Sequence, residues 1–121
     1  MSKDTEAVLA IEKGFWTQAS NRQFFEQNLA DDGLSVMEPM GAIEKKDALQ
    51  KTAPTPWAQP EMSDVVVKQL TPDLIVLAYH AASRRPSDGQ PYQGSIASAY
   101  ARINGRWQLA LTAHQPWNPT T

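Results

Sequence analysis

Three side chains are the candidates for acid–base chemistry in this sequence: one glutamate, Glu38, and the two histidines. Glu38 follows a short alternating run and lies between the apolar Met37 and Met40. His80 and His114 are the only histidines, and each lies in a run whose composition is typical of a β-strand. Two imidazoles and a carboxylate around one cavity would suit proton transfer. The alternative is a solvated glutamate at a strand end and two histidines that are packed or hydrogen-bonded in the core.

Several other chemistries find no support in the sequence. It contains no cysteine, which excludes disulfides, thiolate metal sites and cysteine nucleophiles. A metal site made from the glutamate and both histidines is formally possible, but these residues have none of the local spacings of metal-binding motifs. There is no Gly-rich phosphate loop, nucleotide fingerprint or Ser-His-Asp triad. We therefore predict no metal and no cofactor.

Composition restricts the class of protein and its partners. The 121 residues, 41% of them hydrophobic, predict a single globular domain over 1–121. The net charge is −2, and the only basic pairs are Lys45-Lys46 and Arg84-Arg85, so a nucleic-acid partner is not expected. No apolar run approaches the ~18 residues of a membrane span. The polar start is unlike a signal peptide, which favours a cytoplasmic location and no membrane contact.

The elements that must position these side chains begin with two helices. A second helix is predicted from Asn21, and Gly33 is predicted to end it because glycine accepts positive φ. The first helix is predicted from an apolar stripe with spacings of three and four residues: Val8, Ile11, Phe15 and Ala19, widened by Leu9 and Trp16.

Strands dominate the rest of the chain. A short strand over Leu34–Met37 and a short helix over Glu44–Lys51 lead to a proline-rich loop. In that loop Trp57 is either the lid of a cavity mouth or a plug that anchors the loop. From Met62 the period of two predicts four long strands, and Asn104-Gly105 marks a tight hairpin. Helices first and strands after indicate an α+β fold: a curved antiparallel sheet whose concave face is covered by the helices.

This order resembles the cone-shaped, cystatin-like fold of the nuclear-transport-factor-2-like superfamily, which includes ketosteroid isomerases and SnoaL-like polyketide cyclases. The resemblance covers nearly the whole chain. One fold hosts many chemistries, so it says little about the reaction. Three stretches carry the resemblance: Leu29–Val36, Asn104–Leu109 and His114–Pro116.

Comparison with ketosteroid isomerases makes Glu38 the counterpart of the catalytic base. A carboxylate inside an apolar cone would have a raised pKa and would be a better base near neutral pH. The positions of the two oxyanion donors in that family fall on Gly14 and Ala99, which have no side-chain donor. Steroid isomerisation is therefore not expected, since losing such donors costs much of the transition-state stabilisation.

The same resemblance implies which strand residues face the cone, although a shift of one residue would turn each of them outward. The residues implied to face inward are Ala78, His80, Ala82, Ala97, Ala99, Ala101, Ala110, Thr112 and His114. Those implied to face outward are Tyr79, Tyr100, Leu109 and Leu111. The predicted site comprises Glu38, His80 and His114 as catalytic residues and Trp16, Met37, Trp57, Ala78, Ala99 and Thr112 as pocket lining.

Two hypotheses about function follow. In the first, the cone binds a mostly apolar, carbonyl-bearing small molecule, with Glu38 and a histidine available for isomerase, cyclase or dehydratase chemistry. In the second, the domain is a non-catalytic binding or interaction module. The apolar outer sheet face needs cover, and the resemblance implies a homodimer that forms through it.

Overall fold

A computed structural model describes residues 2–37, 40–50, 57–85 and 89–116. The α+β prediction is confirmed: helices at the N-terminus pack on the concave face of a curved six-stranded sheet. The helices are α1 (Lys3–Thr17), α2 (Arg22–Asn28) and α3 (Lys45–Gln50). The strands are β1 (Leu29–Met37), β2 (Gly41–Glu44), β3 (Ala58–Thr71), β4 (Leu74–Arg84), β5 (Pro91–Ile103) and β6 (Arg106–Pro116). Within the described residues, no helix is both long and apolar enough to cross a membrane.

The sheet is mixed rather than purely antiparallel. Its strand order is β2-β1-β6-β5-β4-β3. Four of the neighbouring pairs are antiparallel, while β1 runs parallel to β6. The tight turn predicted at Asn104-Gly105 fixes the antiparallel pair of β5 and β6 locally. The parallel pair joins distant parts of the chain, so no local sequence pattern predicts it.

The first strand begins earlier than predicted, directly after α2. Leu29 pairs with Leu109, and the stretch from Leu29 to Gly33 is strand rather than helix end. Gly33 serves a different purpose from the predicted helix stop. A Cβ at this position would lie 2.8 Å from the backbone oxygen of Leu109 and 3.2 Å from that of Ala110. The glycine therefore permits close approach of β1 to β6.

The first turn of α1 is tied to the opposite end of the sequence. Ser2 caps the helix by accepting from the amide of Thr5 at 3.2 Å. Asp4 accepts from the Arg102 guanidinium at 2.9 Å and from the Trp107 indole at 3.2 Å. These bonds, that of Trp107 first, hold the pKa of Asp4 below its usual value. They fix α1 over the inner face of the sheet, which we define as the face toward this helix.

The side chains of β4 alternate in the opposite phase to the one predicted. Tyr79 is buried on the inner face, while Ala78 is exposed and His80 and Ala82 are half-buried. The inward placement of Ala78, His80 and Ala82 and the outward placement of Tyr79 are therefore wrong. A buried tyrosine needs a hydrogen-bond partner for its hydroxyl, and α1 supplies one.

The side chains of β5 also face the side opposite to the predicted one. On β6, a β-bulge changes which residues face inward. Tyr100 is fully buried, so its predicted outward placement is wrong, as is the inward placement of Ala97, Ala99 and Ala101. The register shifts between Ala99 and Tyr100, where Ala110 is the extra residue on β6. Because of this bulge, both Leu109 and Thr112 are buried on the inner face while Leu111 is exposed. Leu109 had been expected to face outward.

On the opposite side of the sheet, the outer face, small and apolar residues occupy the middle of two rows. Glu44 and Lys68 stand at the two ends of one row, and His80, Ser95 and Gln115 form a polar row beside them. Residues directly opposite each other in paired strands share a side, which assigns two rows across the sheet to this face. One row contains Val66, Ala78, Ala97, Ala113 and Val36, and the other contains Val76, Ala99, Leu111 and Leu34.

Candidate functional site

A buried glutamate occupies the interior between α1 and the sheet. Glu12 is only 3% exposed, and its carboxylate accepts three hydrogen bonds from sheet residues. The hydroxyls of Tyr79 and Ser98 donate to one oxygen at 2.6 and 2.9 Å. The hydroxyl of Tyr100 donates to the other oxygen at 2.5 Å. The carboxylate thus ties α1 to both β4 and β5 at one point.

Two further groups extend this cluster and fix the direction of its hydrogen bonds. The indole N–H of Trp16 donates to the Tyr79 hydroxyl at 2.8 Å. A phenol has one proton, and that of Tyr79 goes to Glu12. The Ser98 hydroxyl also donates its one proton to the Glu12 carboxylate. The Thr112 hydroxyl, whose oxygen is 2.8 Å from that of Ser98, is therefore the donor to Ser98. All the donors therefore point toward Glu12, and we call these six residues the Glu12 cluster.

The two tyrosines are held in their protonated form. Burial, the negative charge of Glu12 and the hydrogen bond to it all raise the pKa of Tyr79 and of Tyr100 well above the usual value. A phenolate beside a carboxylate in a dry interior would be strongly disfavoured. The tyrosines therefore act as hydrogen-bond donors throughout the physiological pH range.

One helical turn beyond Glu12, four rings pack against one another, and we call this cluster the aromatic cup: Trp16, Trp57, Tyr92 and His114. Trp16 meets Trp57 edge to face with ring centroids 5.1 Å apart, and Tyr92 lies 5.4 Å from Trp57. His114 stacks on Trp16 at 5.6 Å with the ring planes 27° apart. The guanidinium of Arg85 covers the Tyr92 ring at 5.1 Å. Trp16 belongs to both the cup and the Glu12 cluster and connects them.

His114 is an uncharged imidazole at neutral pH. Burial lowers its pKa to about 4, and no charged neighbour contributes to the shift. Within the described ranges, its ring has aromatic contacts but no hydrogen bond. The imidazole can therefore donate or accept one hydrogen bond toward a molecule bound in the cup.

The predicted site residues are only partly brought together. Glu38 lies outside the described residues. Met37 is half-buried and pairs in register with His114, which places both on one face. His80 lies on the outer face, where its Nδ1 atom is 3.2 Å from the Asp64 carboxylate. The two histidines are therefore on opposite sides of the sheet.

The remaining predicted pocket residues fall into two groups. Trp16 and Trp57 are in the aromatic cup, and Thr112 is buried in the Glu12 cluster. Ala78 and Ala99 lie on the outer face and line no part of the interior. Across the described stretches, no three His, Asp or Glu side chains group so as to hold a metal ion.

Sequence reasoning missed the central residue of the interior. Glu12 lies four residues after Val8 and four before Trp16, in the row of α1 that is buried. A glutamate inside an apolar row is the one available signal, since charged side chains are rarely buried without partners. The predicted outward placement of Tyr79 and Tyr100 left a buried Glu12 without hydrogen-bond donors, so the sequence did not indicate its burial.

Comparison with known proteins identifies the fold but no family. No family model matches the sequence, and no curated protein matches it. Among solved structures, a nuclear-transport-factor-2-like protein from Cytophaga hutchinsonii matches with a TM-score of 0.78 at 15% identity, covering 97% of this chain and 100% of that chain. A candidate ketosteroid isomerase from Parabacteroides distasonis matches with 0.76 at 17%, covering 97% and 90%.

A third neighbour is the association domain of the C. elegans kinase CaMKII, with a TM-score of 0.71 at 12% identity, covering 93% of this chain and 95% of that chain. Likeness at such low identity establishes architecture and not activity. The chain has the nuclear-transport-factor-2-like, cystatin-like fold that its sequence predicted.

Proposed function

We propose that this chain is a self-associating binding domain, in which two copies pack through their outer faces. The observation that carries the proposal is the apolar character of that face. Leu34, Val66 and Leu111 are 42%, 54% and 42% exposed, although all three are large and apolar. Contiguous exposed apolar surface of this kind marks an interaction site.

The shape of the outer face favours a second copy of the same chain as the partner. The alanines at 78, 97, 99 and 113 occupy the middle of the two rows, which keeps this part of the sheet free of bulky side chains. Two such surfaces can approach closely around a two-fold axis, which makes the same residues meet on both sides. The CaMKII neighbour, itself an association domain, adds support from the same fold.

Ala97→Glu tests self-association by placing a charge at the centre of the face. Like charges buried near a two-fold axis cost several kcal/mol, so we expect the dimer dissociation constant to rise by at least about 100-fold. Sedimentation velocity over a concentration series measures it. Ala10→Glu is the matched control, since Ala10 is exposed on α1. A monomeric wild type at micromolar concentration, or an unchanged Ala97→Glu variant, contradicts the proposal.

The aromatic cup supports a second function, binding of a small molecule. Its walls are the rings of Trp16, Trp57 and Tyr92, and its polar groups are the uncharged imidazole of His114 and the hydroxyl of Tyr92. Such a site suits a flat, mostly apolar molecule that carries one hydroxyl or carbonyl group. We propose binding rather than acid–base catalysis, because His80 lies on the outer face of the sheet and the role of Glu38 as a base is a prediction from sequence alone.

Trp57→Ala tests this second function, because Trp57 is half-buried at the cup and its loss removes one wall. We expect the affinity for the neutral dye Nile red, measured by fluorescence, to fall at least about tenfold. Native mass spectrometry of the purified wild type should also reveal a co-purifying molecule that the variant lacks. Leu111→Ala is the control, since it removes exposed apolar surface from the outer face only. Equal dye affinity in Trp57→Ala and wild type contradicts binding at the cup.

A further inference from the structure

Tyr79 stands between the buried carboxylate and the aromatic cup. Its hydroxyl donates to Glu12 at 2.6 Å and accepts from the Trp16 indole at 2.8 Å. Glu12 and Trp16 are one turn apart on α1, while Tyr79 comes from β4. Glu12 therefore holds the indole of Trp16, a residue of the same helix, through the Tyr79 side chain of the sheet.

We propose that Tyr79 is a positioning residue of the aromatic cup: fixed by Glu12, it holds the Trp16 indole stacked on His114. The orientation of Tyr79 is fixed because both its proton and one of its lone pairs are engaged. Bonds to a carboxylate are the stronger kind, so Glu12 fixes the phenol more firmly than a neutral acceptor would. Trp16 in turn covers the imidazole. The functional meaning of this role rests on ligand binding at the cup.

This arrangement also sets which molecules the cup accepts. Because Tyr79 occupies the Trp16 N–H, the indole presents only its apolar ring to the cup. The imidazole of His114 and the hydroxyl of Tyr92 are then the polar groups available to a bound molecule. Without the Tyr79 hydroxyl, the indole N–H would be buried and unpaired, and a ligand oxygen could satisfy it. Loss of the hydroxyl should therefore raise the affinity for molecules that carry one additional acceptor oxygen.

Tyr100 provides a matched control within the same cluster. It is buried like Tyr79, donates to the same carboxylate, and has a pKa raised by the same causes. Unlike Tyr79, it makes no hydrogen bond to Trp16. Tyr79→Phe and Tyr100→Phe thus each delete one hydroxyl bonded to Glu12, and only the first releases the indole. A purely structural role predicts the same outcome for both variants.

The titration of His114, followed by NMR of its ring protons, reads out the position of Trp16 without any ligand. The titratable groups of the cup and the Glu12 cluster are Tyr92, Tyr79, Tyr100 and Glu12, and Arg85 is the charged group over Tyr92. In Tyr79→Phe we expect the pKa of His114 to rise from about 4 toward 6.5, because the freed indole covers the imidazole less completely. In Tyr100→Phe it should stay near its wild-type value. Equal pKa values in the two variants would overturn the proposal.

A second measurement keeps the test valid if Tyr79→Phe does not fold. Hydrogen exchange of the Trp16 indole N–H in the wild-type protein should be as slow as that of the core amides, since the donor is buried and paired. Fast exchange would overturn the proposal. The ligand proposal fails separately: if Trp57→Ala binds Nile red normally while His114 shifts as expected, the cup binds no such ligand and Tyr79 still positions Trp16.

Discussion

At the level of single residues, the interior is built around an acid rather than around hydrocarbon alone. Glu12 accepts from three hydroxyls, and no Lys, Arg or His of the described ranges pairs with it. Hydroxyl donors satisfy the lone pairs of the carboxylate without adding a second buried charge, whose desolvation would have to be offset as well. This explains how a charged residue type can lie in the buried row of α1.

His114 should make stability depend on pH. Its pKa is lowered to about 4 in the folded protein, from 6.5. Below the unfolded value, the unfolded chain binds a proton that the folded chain does not, so stability is lost as pH falls from about 6.5 to about 4. Between about pH 7.5 and about pH 5 the loss should be on the order of 2 kcal/mol.

Urea unfolding at these two pH values measures the loss, and His114→Phe provides the comparison. Phenylalanine keeps a ring against Trp16 but cannot titrate. Acidification should therefore cost the variant about 2 kcal/mol less stability than it costs the wild type. His80 and all carboxylates are unchanged between the two proteins and cancel in the difference. An identical pH dependence in both would show that the imidazole is not buried in its neutral form.

At the level of elements, the turn at Asn104-Gly105 was predictable from sequence, whereas the inner and outer faces of β4 and β5 were not. Asn104 and Gly105 both have positive φ, as the hairpin signal requires. In β4 and β5, however, the phase of a period-two pattern depends on which residues are apolar. Alanine fits either face, and tyrosine can be buried when its hydroxyl has a partner. The partner of Tyr79 and Tyr100 lies 67 and 88 positions away, so the choice of face was not local.

Two glycines give contrasting predictions for the same substitution. At Gly33 an added Cβ would meet three backbone oxygens at 2.8 to 3.2 Å, which cannot yield without separating β1 from β6. At Gly14 it would overlap the tip of the Phe24 ring, which can rotate away. Alanine is also favoured over glycine within a helix such as α1 by about 1 kcal/mol.

We therefore expect Gly33→Ala to destabilise the protein by about 1–3 kcal/mol, and Gly14→Ala by clearly less. Denaturant unfolding of the two variants beside the wild type gives both values. Equal losses would mean that β1 can shift against β6 at little cost, contrary to the close approach described above.

At the level of the whole molecule, the order of the elements was enough to predict the fold. Two helices followed by strands with tight turns indicated an α+β cone, and the structural neighbours share it. The site could not be predicted to the same degree. Its parts come from α1, β4, β5 and β6, and their convergence depends on the phase of each strand and on a bulge that has no distinct sequence signal.

The parallel pairing of β1 with β6 has a consequence for how the protein is made. β6 is the last strand of the described residues, yet it lies in the interior of the sheet and is, among these strands, the one neighbour that connects β1 and β2 to the rest. While a ribosome is still translating β5, the residues of β1 have no sheet to join, and closing so long a loop is slow. The β1–β2 pair can therefore join the rest of the sheet only after β6 has been translated.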